Sequence, residues 1–189
     1  DGKRKIIWEK DGRFEAPNWM PDGKKLLFNM DGLLWTIPIA GGKPQKLNTG
    51  FAGNNNNDHG ISPDGKWLAI SHQRQGMQGG GSTVYVLPLT GGTPVMVTEK
   101  TPSYWHGWSP DSKNVVYVAM REGSSTYNIY RKPVRGGEEV ALTSTKPGEH
   151  VDGCEYSPDG KYIYYNGSAS GTMQIWRMKP DGTQKEQLT

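Results

Sequence analysis

Cysteine, phenylalanine and long apolar runs are what this sequence has least of. One cysteine, Cys154, and three phenylalanines stand in 189 residues. A single thiol closes no intramolecular disulfide, so a small disulfide-stapled fold is excluded. No apolar run approaches the roughly 20 residues of a membrane-spanning helix, and no membrane span is expected. Only 33% of the chain is hydrophobic, which suits short strands with thin buried faces rather than a thick helical core. No stretch joins helical periodicity to a capping signal, which predicts essentially no helix. An excess of one charge is also missing, with 22 Lys and Arg against 19 Asp and Glu. The basic run Lys3-Arg4-Lys5 is too short for the clustered face that nucleic acid requires, so no nucleic-acid partner is expected. A Gly-x-Ser-x-Gly nucleophile elbow is absent, and the Gly76 to Gly81 stretch has no following helix to hold a phosphate. No cofactor is expected. An opening at Asp1 rather than Met is what a mature or trimmed chain would show.

What the sequence does have is glycine and proline, 26 and 13 residues, placed at regular intervals. The segment Ser62-Pro63-Asp64-Gly65-Lys66 recurs as Met20-Pro21-Asp22-Gly23-Lys24, Ser109-Pro110-Asp111-Ser112-Lys113 and Ser157-Pro158-Asp159-Gly160-Lys161, at intervals of 42, 47 and 48 residues. A second marker, the glycine at 42, 92, 137 and 182, keeps nearly the same period. Two markers sharing a period of about 45 residues predict four-stranded propeller blades. In each unit Pro-Asp-Gly supplies the fixed φ and the left-handed position of a tight turn. An apolar strand follows it, such as Trp67 to Ser71, then a third strand, a Gly-Gly or Asp-Gly step expected as a two-residue hairpin, and a polar outer strand.

The expected fold is therefore all-β, a propeller of antiparallel four-stranded blades. One partial domain spans 1–189, with repeats at 12–50, 51–99, 100–145 and 146–189. Residues 1–10 are expected to be an outer strand of a closing blade. Both ends offer that strand, which favours a piece of a larger ring over a closed four-bladed one. An open arc would leave apolar blade faces wet, so self-association through them is expected.

The repeated Ser-Pro-Asp-Gly-Lys, its aromatic or aliphatic strand, the Ile-Tyr or Ile-Trp of the third strand and the Gly-Gly turn resemble the TolB-type propeller blade. Longer stretches, Phe14 to Trp19, Asn56 to Gly65 and Ser103 to Pro110, are similar to a TolB-like group of six-bladed bacterial propellers, of which this would be a partial copy. Met20 in place of Ser and Ser112 in place of Gly are the departures. The resemblance implies a periplasmic or extracellular protein that binds a protein or carbohydrate partner.

The strand before each Pro-Asp-Gly turn is expected to line the channel. Counting back four residues from each proline gives Pro17, His59, His106 and Cys154, which places two histidines in register on one axis. Asn57, Asp58, His59, Tyr104, Trp105, His106, His150 and Asp152 form the candidate ligand site: aromatic faces to stack, amides and carboxylates to hydrogen-bond. No catalytic residue is expected. The alternative is a metal-assisted polysaccharide lyase with His59, His106, His150 and Asp58 as ligands. A structural reading also stands, in which the histidines bond backbone, Trp19 and Trp108 pack between blades, Asn54 to Asn57 is a loop whose amides cap turns, and Cys154 is a small buried apolar residue.

Overall fold

The computed structural model describes every residue except Asp1, Lys3, Gln78 and Gly79. Those parts of the expected outer strand, of the basic run and of the Gly79-Gly80-Gly81 stretch lie outside the described residues. No helix occurs among the rest. Blade 1 holds β1 (Phe14–Trp19), β2 (Lys25–Met30), β3 (Leu33–Pro38) and β4 (Gln45–Lys46). Blade 2 holds β5 (Asn55–Ile61), β6 (Trp67–Gln73), β7 (Ser82–Pro88) and β8 (Val95–Met96). Blade 3 holds β9 (Ser103–Trp108), β10 (Asn114–Ala119), β11 (Asn128–Pro133) and β12 (Val140–Ala141). Blade 4 holds β13 (Val151–Tyr156), β14 (Ile163–Gly167), β15 (Gln174–Met178) and β16 (Glu186–Gln187). Each sheet is an antiparallel meander in chain order. The outer strands are only two residues long and exposed, which keeps the free sheet edges from recruiting other chains.

The blades pack face to face. Leu27 and Leu34 of blade 1 meet Leu68, Ile70 and Leu87 of blade 2. Ala69, Val84 and Val86 of blade 2 meet Trp105, Trp108, Val115 and Tyr117 of blade 3. Val116, Val118 and Ile129 of blade 3 meet Cys154, Ile163 and Met178 of blade 4. The inner strands β1, β5, β9 and β13 touch in that order, while β13 and β1 share no comparable packing among the described residues. The row is thus an open arc. Trp19, the counterpart of Trp108, shows the consequence. Trp108 is buried with its Nε1 donating to the Gly60 carbonyl of the preceding blade at 3.0 Å, whereas Trp19 is 63% exposed because no sheet precedes blade 1 among the described residues. The expectation that both tryptophans pack between blades holds for Trp108 only.

The Pro-Asp-Gly turns close with the Gly65 N–H on the Ser62 carbonyl at 2.8 Å, repeated at Gly23, Ser112 and Gly160. Each aspartate serves its own turn: Asp64 Oδ1 accepts from Ser62 Oγ at 2.6 Å and from the Lys66 N–H at 3.1 Å, and Asp111 and Asp159 repeat both bonds. The serine hydroxyl bonded to Asp159 helps hold that carboxyl down to about 2. These carboxylates are structural. At Met20 no hydroxyl is available, and the side chain packs on the blade 1–2 core instead.

Ser112 explains itself less simply. Its φ of +60° is the left-handed region that glycine adopts without strain. In return its Oγ accepts from the Asp64 N–H of blade 2 at 3.1 Å, tying two turns together. Ser112→Ala, which keeps the strain and loses the bond, is expected to cost about 1 kcal/mol. Ser112→Gly should be more stable than the alanine variant by about 1 kcal/mol. Urea midpoints of the two variants and the parent check both; equal midpoints for Ala and Gly would refute the backbone argument.

One expectation is corrected here. The Gly-Gly steps are not the hairpin loops: Gly41 and Gly91 donate to the Pro38 and Pro88 carbonyls, so each tight turn is centred on the two preceding residues and the glycines, with φ of +92° to +140°, redirect the chain after it. Residues 4–10 pair with none of the four described sheets, so their role as an outer strand of a closing blade stays an expectation. Ile7 and Trp8 lie instead against Phe28 and Ile37 on the uncovered face of blade 1.

Candidate functional site

Every inner strand carries a bulge, and the position of the bulge decides which side chain reaches the channel. In β9, Trp105 pairs with Tyr117 and Gly107 with Val116, so His106 is the extra residue. In β13 the extra residue lies between Asp152 and Glu155, beside Gly153 with its φ of +58°. In β5 the irregularity spans Asn55 to His59. Since strand side chains alternate with period 2, moving the extra residue by one position reverses the side that the next residue faces. The expectation that His59 and His106 share one orientation is therefore corrected. His106 faces the channel. His59 is 3% exposed, and neither ring nitrogen has a hydrogen-bond partner. Burial pushes its imidazole down to about 4, so it is neutral. Cys154, at the same repeat position, is fully buried, and burial pushes its thiol well above the usual range.

Six of the eight candidate residues, Asn57, Asp58, Tyr104, His106, His150 and Asp152, line one cavity of about 530 Å³. They come from β5, β9 and β13 and from the segment just before β13, hence from three successive blades. His59 and Trp105 do not line it. Trp105 is buried in the blade 2–3 core, its indole lying over the Cα of Gly60. The structure adds Asn56, Val118, Tyr127, Val151 and Met173 to the wall. Asn55 to Asn57 are not loop residues but open β5; their neighbour Asn29 donates from Nδ2 to the Asn55 and Asn56 carbonyls at 3.0 and 2.7 Å. Tyr127 was beyond sequence reading. It stands immediately before β11, and only the fold brings its ring to 6.1 Å from that of Tyr104.

Within the cavity His106 Nε2 lies 2.9 Å from Asp152 Oδ1, which also accepts from the Gly153 N–H at 2.9 Å. The hydrogen bond from His106 holds the Asp152 carboxyl below the usual range. Asp58 differs. Burial pushes its carboxyl up, and Asp152 and Glu15 add to the rise against the opposing influence of His106. Asp58 Oδ2 accepts from Asn56 Nδ2 at 2.6 Å, an amide rather than a cation. Burial, with Tyr127 alongside, raises the Tyr104 phenol. Among the described residues no group of three or more His, Cys, Asp or Glu is arranged to hold a metal ion. Of the alternative ligand set, His106, His150 and Asp58 line the cavity, whereas His59 is buried and does not.

The architecture defines the class: a β-propeller arc of four-stranded blades with a polar, aromatic-lined cavity where its inner strands converge. The chain belongs to the TolB beta propeller domain family, whose model matches residues 1–189. It is 48% identical over 188 residues to an uncharacterized protein of Agrobacterium fabrum, covering 99% of this chain and 62% of that protein. It is 26% identical over 175 residues to the Tol-Pal system protein TolB of Francisella tularensis, covering 90% and 39%. A candidate TolB structure from Agrobacterium tumefaciens superimposes with a TM-score of 0.87 at 48% identity, over 98% of this chain and 65% of that one. The chain thus spans between about two fifths and two thirds of the length of these relatives.

Proposed function

We propose that this propeller is a binding scaffold rather than a catalyst, and that it receives a protein partner at the cavity formed by Asn57, Asp58, Tyr104, His106, His150 and Asp152. The observation that carries the proposal is the convergence of these side chains from three blades on one concave wall. Concave sites with a few directed polar groups and aromatic walls are where folds of this kind take ligands. The Pro-Asp-Gly carboxylates are used up within their own turns, which leaves Asp58 and Asp152 as the acidic groups on this wall. A periplasmic or extracellular location is part of the proposal, supported by the family. The uncovered faces of blades 1 and 4, with Trp19 and Ile175 exposed at 63% and 44%, are the surfaces for any self-association.

A photo-activatable side chain at Asn57 tests the proposal in cells. It should give a discrete adduct with one protein, absent when the same group is placed at Val95 on the outer strand β8. No adduct, or equal adducts from both positions, would refute it. Binding to neutral or acidic oligosaccharides that is lost in the Asp152→Asn variant would replace the protein partner by a carbohydrate.

A further inference from the structure

Resting on the reading above, we infer that the cavity recognises its partner through one basic side chain, lysine or arginine, seated between Asp58 and Asp152 and against the rings of Tyr104 and Tyr127. The charges on the wall lead there. Asp58 and Asp152 line the cavity, and among the described residues no lysine or arginine does. Arg13, the nearest cation by sequence to Glu15, is engaged with that residue at 2.6 Å. Asp152 already holds His106, whereas the side-chain partner of Asp58 is the neutral amide of Asn56. A partner that closes over this wall removes water from both carboxylates. Covered by an apolar ligand they would lose hydration that the single bonds from His106 and Asn56 restore only in part, and an anionic ligand would be repelled. An ammonium or guanidinium group replaces the lost water with charge-assisted hydrogen bonds.

The aromatic wall points the same way. Tyr104 and Tyr127 are half-buried, tilted at 59° to each other, and Asp58 is close enough to act on the Tyr104 phenol. Ring faces beside a carboxylate favour a cation with an apolar stem, since the stem packs on the rings and the head reaches the acid. A volume of about 530 Å³ falls within the range of built ligand pockets and accommodates one long side chain.

Short peptides that differ at one residue provide the probe: acetyl-Gly-Gly-X-Gly-Gly-amide with X as lysine, arginine, norleucine or glutamate, titrated into the isotope-labelled protein and followed by amide chemical shifts. The lysine and arginine peptides should shift Asn57, Asp58, His106 and Asp152 saturably, and added salt should weaken them. Norleucine, which keeps the stem and lacks the charge, should bind at least about tenfold more weakly. Asp58→Asn and Asp152→Asn should each weaken the lysine peptide by about tenfold. Asp152 has a side chain 62% exposed, so its variant remains informative if Asp58→Asn perturbs folding. Equal binding of lysine and norleucine, or full binding in both variants, overturns the inference. An adduct from Asn57 that persists in the Asp58→Asn, Asp152→Asn protein would leave the scaffold reading standing while sinking the basic side chain; loss of every adduct in the parent would sink both.

Discussion

Replacing Glu139 by alanine is expected to cost this fold about 3–5 kcal/mol, the range for breaking a buried ion pair from one side. Arg121 reaches across from the end of β10 to Glu139, with Nε on Oε1 at 2.9 Å and Nη2 on Oε2 at 2.7 Å. The same guanidinium donates to the Pro102 and Met120 carbonyls and to Ser103 Oγ. Its plane lies over Tyr130, 4.8 Å from the ring centroid. Glu139 also accepts from Tyr117 Oη at 2.8 Å and from Lys100 Nζ at 3.1 Å. The two side chains are 12% and 15% exposed, so Glu139→Ala leaves a nearly dry cation with no carboxylate. Arg121→Met combined with Glu139→Leu should be less destabilised than either alanine variant, because it leaves no uncompensated charge.

The same cluster sets an acid limit. Burial alone would raise the Glu139 carboxyl, but the hydrogen bonds from Arg121 and Tyr117 and the charge of Arg121 outweigh it and hold it at about 2, against an ordinary 4.5. On acidification the unfolded chain therefore binds this proton first. The contribution of Glu139 is complete above about pH 4.5 and is lost as the pH falls toward 2. Urea midpoints measured from pH 7 to pH 3 should decline in the parent and more shallowly in Glu139→Ala. A loss under about 1 kcal/mol at pH 7, the level of an exposed pair, would show that the cluster contributes little.

Gly60→Ala is the second large effect. An added Cβ would lie 2.0 Å from Cη2 and 2.7 Å from Cζ3 of Trp105. That indole is 8% exposed and is walled in by Ala69, Val84, Val115 and Tyr117. It has nowhere to move, so the cost should sit at or above the upper end of the roughly 1–3 kcal/mol of core overpacking. Phenylalanine lacks the far edge of the indole. Gly60→Ala should therefore cost less in a Trp105→Phe background, and a double-mutant cycle of denaturation midpoints should return a coupling of at least about 1 kcal/mol. Additive effects would mean that the indole is not the obstacle. Gly60 follows Asp58 by two residues, so the variant should also weaken the lysine peptide.

The first prediction concerns a contact between loops of blade 3 and the second a contact between blades 2 and 3; both lie where the sequence was least legible. The Pro-Asp-Gly turn could be read residue by residue because its chemistry is local: proline fixes one φ, the following positions supply an acceptor and a left-handed backbone, and four copies fix the period. The cavity was legible in part. Asp58, His106 and Asp152 were found by counting back from the prolines, since the inner strands do run toward one mouth. His59 and Trp105 were misplaced because counting assumes that strands are regular, and the bulges are not. The site of the extra residue is settled by packing: in β9 the Trp105 indole occupies the space over Gly60, and His106 becomes the residue that turns to the channel.

The Arg121–Glu139 pair had no sequence signal at all. Its members are 18 residues apart, and nothing in their spacing predicts that they meet. By itself, then, the sequence determined the all-β class, the four-stranded unit and its repeat. Only the tertiary structure decided which inner-strand side chains share the cavity, that His59 is buried and neutral, and that Tyr127 completes the aromatic wall. The reason is physical: turns are set by the φ and hydrogen bonds of a few adjacent residues, whereas the direction of a strand residue depends on what the neighbouring blade leaves room for.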